Sequence, residues 1–132
     1  MMADPHNGDI FTLCNVIRET SFEIHRYLRH ELKEQIYENA LAHRLRKKGI
    51  NVEQQQEVKV FDEDGTFLGL LKIDLLIDDR LICEIKSCSA LINEHISQLL
   101  GYLRASPMQH GLLINFGSSR LQIKKYIVNY LL

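Results

Sequence analysis

No stretch of the chain approaches the ~18 uninterrupted apolar residues that would span a bilayer. The opening MMADPHNGDI has neither the basic start nor the apolar run of a secretory signal, so a cytoplasmic location without membrane contact is expected. Cysteine occurs only as Cys14, Cys83 and Cys88, an odd number without paired spacing that reads as reduced thiols. Excess charge is missing too: 16 Lys plus Arg face 17 Asp plus Glu, for a net charge of −1. Bulk electrostatics therefore do not mark the chain as a nucleic-acid binder, and any such contact has to be local. There is no repeat, linker or low-complexity tract, no glycine-rich phosphate loop and no Ser-His-Asp set. Without a Cys-x-x-Cys or His-x-x-His pair, structural zinc is disfavoured as well.

What is present suits one compact domain: 132 residues, 45% hydrophobic and 25% charged. Residues 1–8, with Pro5, Asn7 and Gly8, read as a disordered tail, and residues 9–132 as a single domain. Ile10, Leu13, Cys14, Ile17, Phe22, Ile24 and Leu28 recur at helical spacing, with Thr20 and Ser21 marking the point where that helix would break. A second helix is expected over about 31–48, its stripe formed by Tyr37, Leu41 and Leu45 and its end by Arg44, Arg46, Lys47, Lys48 and Gly49.

The period then becomes extended. QEVKVF (56–61), TFLGLLKIDLLI (66–77, with Gly69 a point for a kink) and LICEIK (81–86) read as three strands of an antiparallel meander, joined by turns at Asp62-Glu63-Asp64-Gly65 and Asp78-Asp79. A helix over 90–104, a strand in GLLINF (111–116) and a last strand through Leu121, Ile123 and Ile127 complete the order. The end of the chain could also be helical. Together these give an α/β fold, a mixed central sheet flanked by helices.

The informative strand is LICEIK. Apolar Leu81, Ile82 and Cys83 on consecutive positions point to both faces, so the strand is central, and Glu84 and Lys86 then lie at the margin of a core where uncompensated charge is costly. Asp74 sits in the same setting one strand earlier, among Ile73, Leu75, Leu76 and Ile77. Two carboxylates and an ammonium could pair with one another or hold a divalent cation in a hard oxygen shell. The register decides. A two-residue turn at Asp78-Asp79 puts Asp74 opposite Cys83 and separates it from Glu84, whereas a three-residue turn, a bulge or a sharp bend near Asp74 restores a shared face. Glu34, Tyr37, Leu41 and Leu45 fall within about an 80° arc at 100° per residue, so Glu34 heads the core-facing stripe of its helix. Its alternative is a solvated first-turn glutamate stabilised by the helix dipole. His95, Gln98 and Tyr102 form a polar seam beside Leu99 and Leu103; for His95 and Tyr102 bonds to backbone groups are expected, while Gln98 could orient a water or a phosphate.

Glu34-x-x-Tyr37, Asp74 in KIDLLI, Glu84-x-Lys86 in LICEIKS, His95-x-x-Gln98 with the following Leu-Leu-x-Tyr-Leu, and GLLINFG occur here in one order. In that combination, over roughly residues 10–128, the chain resembles the GxxExxY proteins, a prokaryotic family assigned to the PD-(D/E)XK nuclease superfamily. Glu31 stands where the family motif opens with glycine, and Asp79 where a turn glycine usually precedes the Glu-x-Lys strand.

The resemblance implies a restriction-endonuclease-like core and metal-dependent hydrolysis of phosphodiester bonds. It implies that Asp74, Glu84, the Ile85 carbonyl and Glu34 hold Mg²⁺ or Mn²⁺, that Lys86 orients or helps deprotonate water, and that Gln98 positions the backbone. The expected partner is nucleic acid, DNA first. Arg44, Arg46, Lys47, Lys48, Arg120, Lys124 and Lys125 are the local basic groups that could meet phosphates, unless they serve as helix ends and solvated surface. A small neutral domain should hold nucleic acid weakly, so a homodimer or a partner protein is expected to assist. The alternative is a catalytically inactive module that keeps the nuclease fold, its acids paired with Lys86 and its first helix offering Phe11, Leu13 and Phe22 to a partner.

Overall fold

In the computed structural model, which describes residues 9–129, the element order is α1 (Ile10–Leu28), α2 (Glu34–Lys47), β1 (Val52–Phe61), β2 (Phe67–Ile77), β3 (Leu81–Lys86), α3 (Asn93–Ala105), β4 (His110–Asn115) and β5 (Gln122–Ile127). The tail expected over residues 1–8 lies outside the described residues. The strands form one sheet in the order β1-β2-β3-β4-β5. Only β3 and β4 run parallel, and α3 supplies the crossover that a parallel pair requires. The expected mixed sheet flanked by helices is the observed fold. Among the described residues no helix is long and apolar enough to cross a membrane.

α1 starts where the Asp9 carboxylate accepts the Thr12 N–H at 2.8 Å. It does not break at Thr20 and Ser21. Both are buried, and their hydroxyls donate to the carbonyls of Val16 (2.7 Å) and Ile17 (2.8 Å), so the polar groups are satisfied inside the helix. Leu13 lies in the core, as its place on the helical stripe implied and against the inactive-module alternative, whereas Phe22 of the same stripe is exposed, as is Phe11. α2 begins at Glu34, three residues later than the expected start, because the chain first turns a corner in which Arg29 adopts φ 65°. Tyr37 pins that corner: its hydroxyl donates to the Arg29 carbonyl (2.6 Å) and accepts the Leu32 N–H (3.1 Å), while its ring lies flat on Phe116 at 4.8 Å. The left-handed residue of the corner is Arg29 and not Glu31, so the missing motif glycine leaves no strain at its own position.

Two apolar clusters sandwich the sheet. Leu13, Ile17 and Ile24 of α1 and Tyr37, Leu41 and Leu45 of α2 meet Leu75, Ile77, Leu81, Cys83, Ile85, Leu112 and Ile114 on one face. Leu99 and Leu103 of α3 meet Ile73, Ile82 and Leu113 on the other. Burial on both faces along Leu81 to Ile85 makes β3 the central strand, as its continuous apolar run implied. β1 and β2 pair over their whole length, whereas β2 meets β3 over residues 75–77, so the far part of the β1–β2 hairpin runs on beyond the sheet. Near its end Val60 faces Gly69 and Phe61 faces Phe67, which leaves Leu68 as a bulge beside Gly69, the expected point of irregularity.

Candidate active site

The turn between β2 and β3 has three residues. Asp78 and Asp79 both adopt left-handed conformations (φ 55° and 54°), and the Arg80 N–H donates to the Ile77 carbonyl at 3.1 Å, yet Leu81 is the residue paired with Ile77. Arg80 is therefore the extra residue. Aspartate tolerates positive φ better than most side chains, so Asp79 can fill a turn position for which the resemblance led to an expectation of glycine. Continuing the register from Leu75 opposite Cys83 brings Asp74 level with Glu84. The side-to-side alternation also slips here: Ile73 packs in the α3-side cluster and Leu75 in the α1–α2 cluster, and Gln55, the residue of β1 level with Asp74, has φ 53°.

At this slip the ladder between β2 and β3 passes from backbone to side chains. The Asp74 N–H donates to Glu84 Oε2 at 2.8 Å, and the Ile85 N–H donates to Asp74 Oδ2 at 2.8 Å. Glu84 is 3% exposed. Burial, followed by the charge of Asp74, pushes its pKa up from 4.5 to about 8. Asp74 is raised by burial and by the charge of Glu38, against which the Ile85 N–H acts. Glu34 keeps solvent contact at the first turn of α2, but the protein mass around its carboxyl and the charge of Asp74 raise its pKa as well. Lys86 lies close enough to Glu34, Asp74 and Glu84 to lower all three, and its Nζ donates to Gln98 Oε1 at 3.0 Å. Gln98 in turn donates to the Tyr102 hydroxyl at 3.1 Å.

The structure thus brings Glu34, Asp74, Glu84, Lys86 and Gln98 into one electrostatically coupled corner. Ile85 contributes its N–H to Asp74 and its side chain to the core. His95 does not join: its Nδ1 accepts the Ile92 N–H at 3.1 Å and caps α3, the backbone bond expected for it. Tyr102 bonds the Gln98 side chain instead of a backbone group.

Three residues of this region escaped the sequence. Glu38, one turn after Glu34, is buried and accepts from the amides of Gln35 (3.2 Å), Gln54 (2.9 Å) and Gln55 (2.6 Å). Gln55 Nε2 also reaches Asp74 Oδ1 at 3.3 Å, linking the two acids. The readable signal was a second glutamate on the Tyr37–Leu41–Leu45 stripe, matched by a run of three glutamines at the start of an extended segment. Asn115, fully buried, holds the exit of β3 by accepting the Cys88 N–H and donating to the Cys88 carbonyl, each at 3.0 Å. Much of the basic cluster at the end of α2 is occupied locally. Arg46 donates to Gln54 and to the Val52 carbonyl, Lys48 to Thr20, and Arg44 lies 3.8 Å from Glu23.

Among the described residues no group of three or more His, Cys, Asp or Glu is arranged to hold a metal ion. The donors nevertheless suit a hard cation. Magnesium is commonly held by one or two carboxylates with water and substrate phosphate making up the shell, and Asp74 and Glu84 are two carboxylates whose mutual repulsion a cation would relieve.

A family model described as the PD-(D/E)XK nuclease superfamily matches residues 12–126. The chain belongs to that superfamily. The matched span runs from α1 to β5 and includes every residue of the coupled corner. Neither the curated proteins nor the solved structures contain a match.

Proposed function

We propose that this member of the PD-(D/E)XK superfamily is a divalent-metal-dependent nuclease of GxxExxY type that hydrolyses DNA phosphodiester bonds. The observation that carries the reading is the Asp74–Glu84 interlock, two buried-side carboxylates with raised pKa values beside a lysine amine. Asp74 and Glu84 would hold Mg²⁺ or Mn²⁺, with Glu34 and the Ile85 carbonyl completing the protein's share of the shell. When bound, such an ion supplies a Lewis acid for a phosphate oxygen and lowers the pKa of a water.

The remaining steps belong to the chain's own side chains. Lys86 orients the attacking water and offsets the negative charge that builds on phosphorus, and its bond to Gln98 fixes where the amine points. Gln98, held in turn by Tyr102, contacts the nucleic-acid backbone. Glu38 and Gln55 act through Asp74, holding its Oδ1 side.

Cleavage of single-stranded, double-stranded and branched DNA, with RNA in parallel, tests the proposal in Mn²⁺ and Mg²⁺. Activity that needs metal and disappears in Asp74→Ala and Lys86→Ala is the expected result. Equal activity in the variants would identify a contaminant and overturn it. The inactive-module reading draws on one observation: Asp74 and Glu84 already serve strand amides, a structural use that needs no ion. An unchanged melting temperature on adding either metal decides for that reading.

A further inference from the structure

Past residue 74 the β1–β2 hairpin runs on for about seven residues beyond its backbone pairing with β3, or roughly 23 Å at ~3.3 Å per residue. Its end is apolar and acidic at once. Phe61, Phe67, Leu68 and Leu70 are each more than half exposed, and the two phenylalanine rings meet edge to face at 5.9 Å. Between them the turn carries Asp62, Glu63 and Asp64. This turn is stiffened from within: Asp62 Oδ1 accepts the Glu63 N–H (2.7 Å) and Asp64 Oδ1 the Thr66 N–H (2.9 Å). These bonds restrain the turn, which lowers the cost of ordering it on contact. Three consecutive acids repel phosphates, so nucleic acid does not suit this end of the molecule.

A complementary surface exists on the same chain. A cleft of about 510 Å³ between α1 and α2 is lined by His43, Arg44, Lys47 and Lys48, with Glu23 as its acid. At its edge Tyr27, 77% exposed, lies 6.0 Å from the Arg44 guanidinium. Arg44 is partly offset by Glu23 and Lys48 bonds Thr20, yet three cations against one acid leave the hollow net positive, and with its exposed aromatic edge it suits an acidic tip with exposed aromatic flanks.

We propose that the hairpin tip of one copy docks in the α1–α2 cleft of a second copy, and that the second copy's tip docks reciprocally in the first, forming a two-fold dimer. Reciprocal docking closes the assembly at two chains and doubles the apolar area covered, toward the ~1,200 Å² of a stable interface. The proposal does not depend on nuclease activity. Its partner is this chain itself, recognised through charge and aromatic contact.

The test is light scattering on a sizing column across concentration, with Glu63→Lys in the tip and Lys47→Glu in the cleft. Neither side chain belongs to the Asp74–Glu84 corner, and circular dichroism checks that both variants fold. The wild type should dimerise, and each single variant should dissociate at concentrations on the order of tenfold higher, since a like-charge contact replaces an attractive one. Mixing the two variants should restore dimers, because the new lysine then meets the new glutamate while the other contact stays native. Phe67→Ser should weaken association in every background. A wild type that stays monomeric overturns the proposal and leaves the tip to a different protein. Single variants that dimerise like the wild type, or a mixture that fails to recover, would equally overturn it.

Discussion

Glu84 Oε2 accepts the backbone N–H of Asp74, and Asp74 Oδ2 accepts the backbone N–H of Ile85, the residue after Glu84. Each acid thereby closes a ladder position on the opposing strand. The two strands can separate at this point without orphaning their amides, and both carboxylates are drawn into the opening. Position and protonation are coupled by this geometry, because the bonds that fix the acids also hold them in surroundings where charge is costly.

The raised pKa of Glu84 sets the sign of a pH effect. Between about 4.5 and about 8 the folded chain keeps a proton that the unfolded chain releases, so folding is favoured below that window and stability falls as pH rises through it. At about 1.4 kcal/mol per pKa unit, the decline should amount to a few kcal/mol. Urea midpoints measured from about pH 5 to about pH 8.5 should fall in the wild type, and the fall should largely vanish in Glu84→Gln. A flat wild-type profile would contradict the upward shift that burial imposes on this carboxyl.

Divalent cations should show the opposite dependence. An ion bound by Asp74 and Glu84 competes with the proton on Glu84, so Mg²⁺ should raise the melting temperature more at about pH 8 than at about pH 6. At a hundredfold excess over Kd the stabilisation should approach ~2.7 kcal/mol. Asp74→Ala should abolish it, and Glu34→Gln, altering a carboxyl at the exposed rim, should only reduce it. Differential scanning fluorimetry with Mg²⁺, Mn²⁺ and Ca²⁺ at both pH values provides the measurement.

Much of this was legible in the chain. The consecutive apolar positions of Leu81 to Cys83 announced a central strand, and the placement of Asp74, Glu84 and Lys86 at its margin followed from alternation alone. The register around Asp74 could not be read from alternation, because it depends on Arg80 becoming a bulged residue and on two aspartates accepting positive φ. The family resemblance supplied the motif order that alternation lacks. Glu38 stayed hidden for a different reason: a glutamate on an apolar helix stripe looks like a surface residue until the glutamines that hydrogen-bond its oxygens are brought across from β1, 16 and 17 residues away. The unbroken α1 shows the same blindness, since hydroxyls that look like breakers in sequence can bond within their own helix.

Gln55 combines a left-handed backbone with a side chain bonded to two acids, so its substitutions should separate the two contributions. Gln55→Ala removes the amide from buried Glu38 and keeps the backbone strain, at a cost of about 1–3 kcal/mol. Gln55→Gly removes the same amide and relieves the positive φ, and should be more stable than the alanine variant by ~1 kcal/mol. Chemical denaturation of the pair gives the difference directly. Both variants should also lose Mg²⁺ affinity through the loosened Oδ1 of Asp74.

Tyr37 ties the corner before α2 to the core, and Glu34 stands directly beyond that corner. Removing only the hydroxyl, in Tyr37→Phe, leaves the ring stacked on Phe116 but frees the Arg29 carbonyl and the Leu32 N–H. Two lost hydrogen bonds at a partly solvated corner should cost about 1–2 kcal/mol of stability. Because the first turn of α2 then frays, the loss should reach Glu34 and leave Asp74 and Glu84 in place, since their mutual bonds lie in the sheet. Hydrogen exchange should accelerate at Leu32 and through the first turn of α2 while Asp74 and Ile85 keep wild-type protection. Equal acceleration at all four positions would show that the corner and the sheet open as one unit.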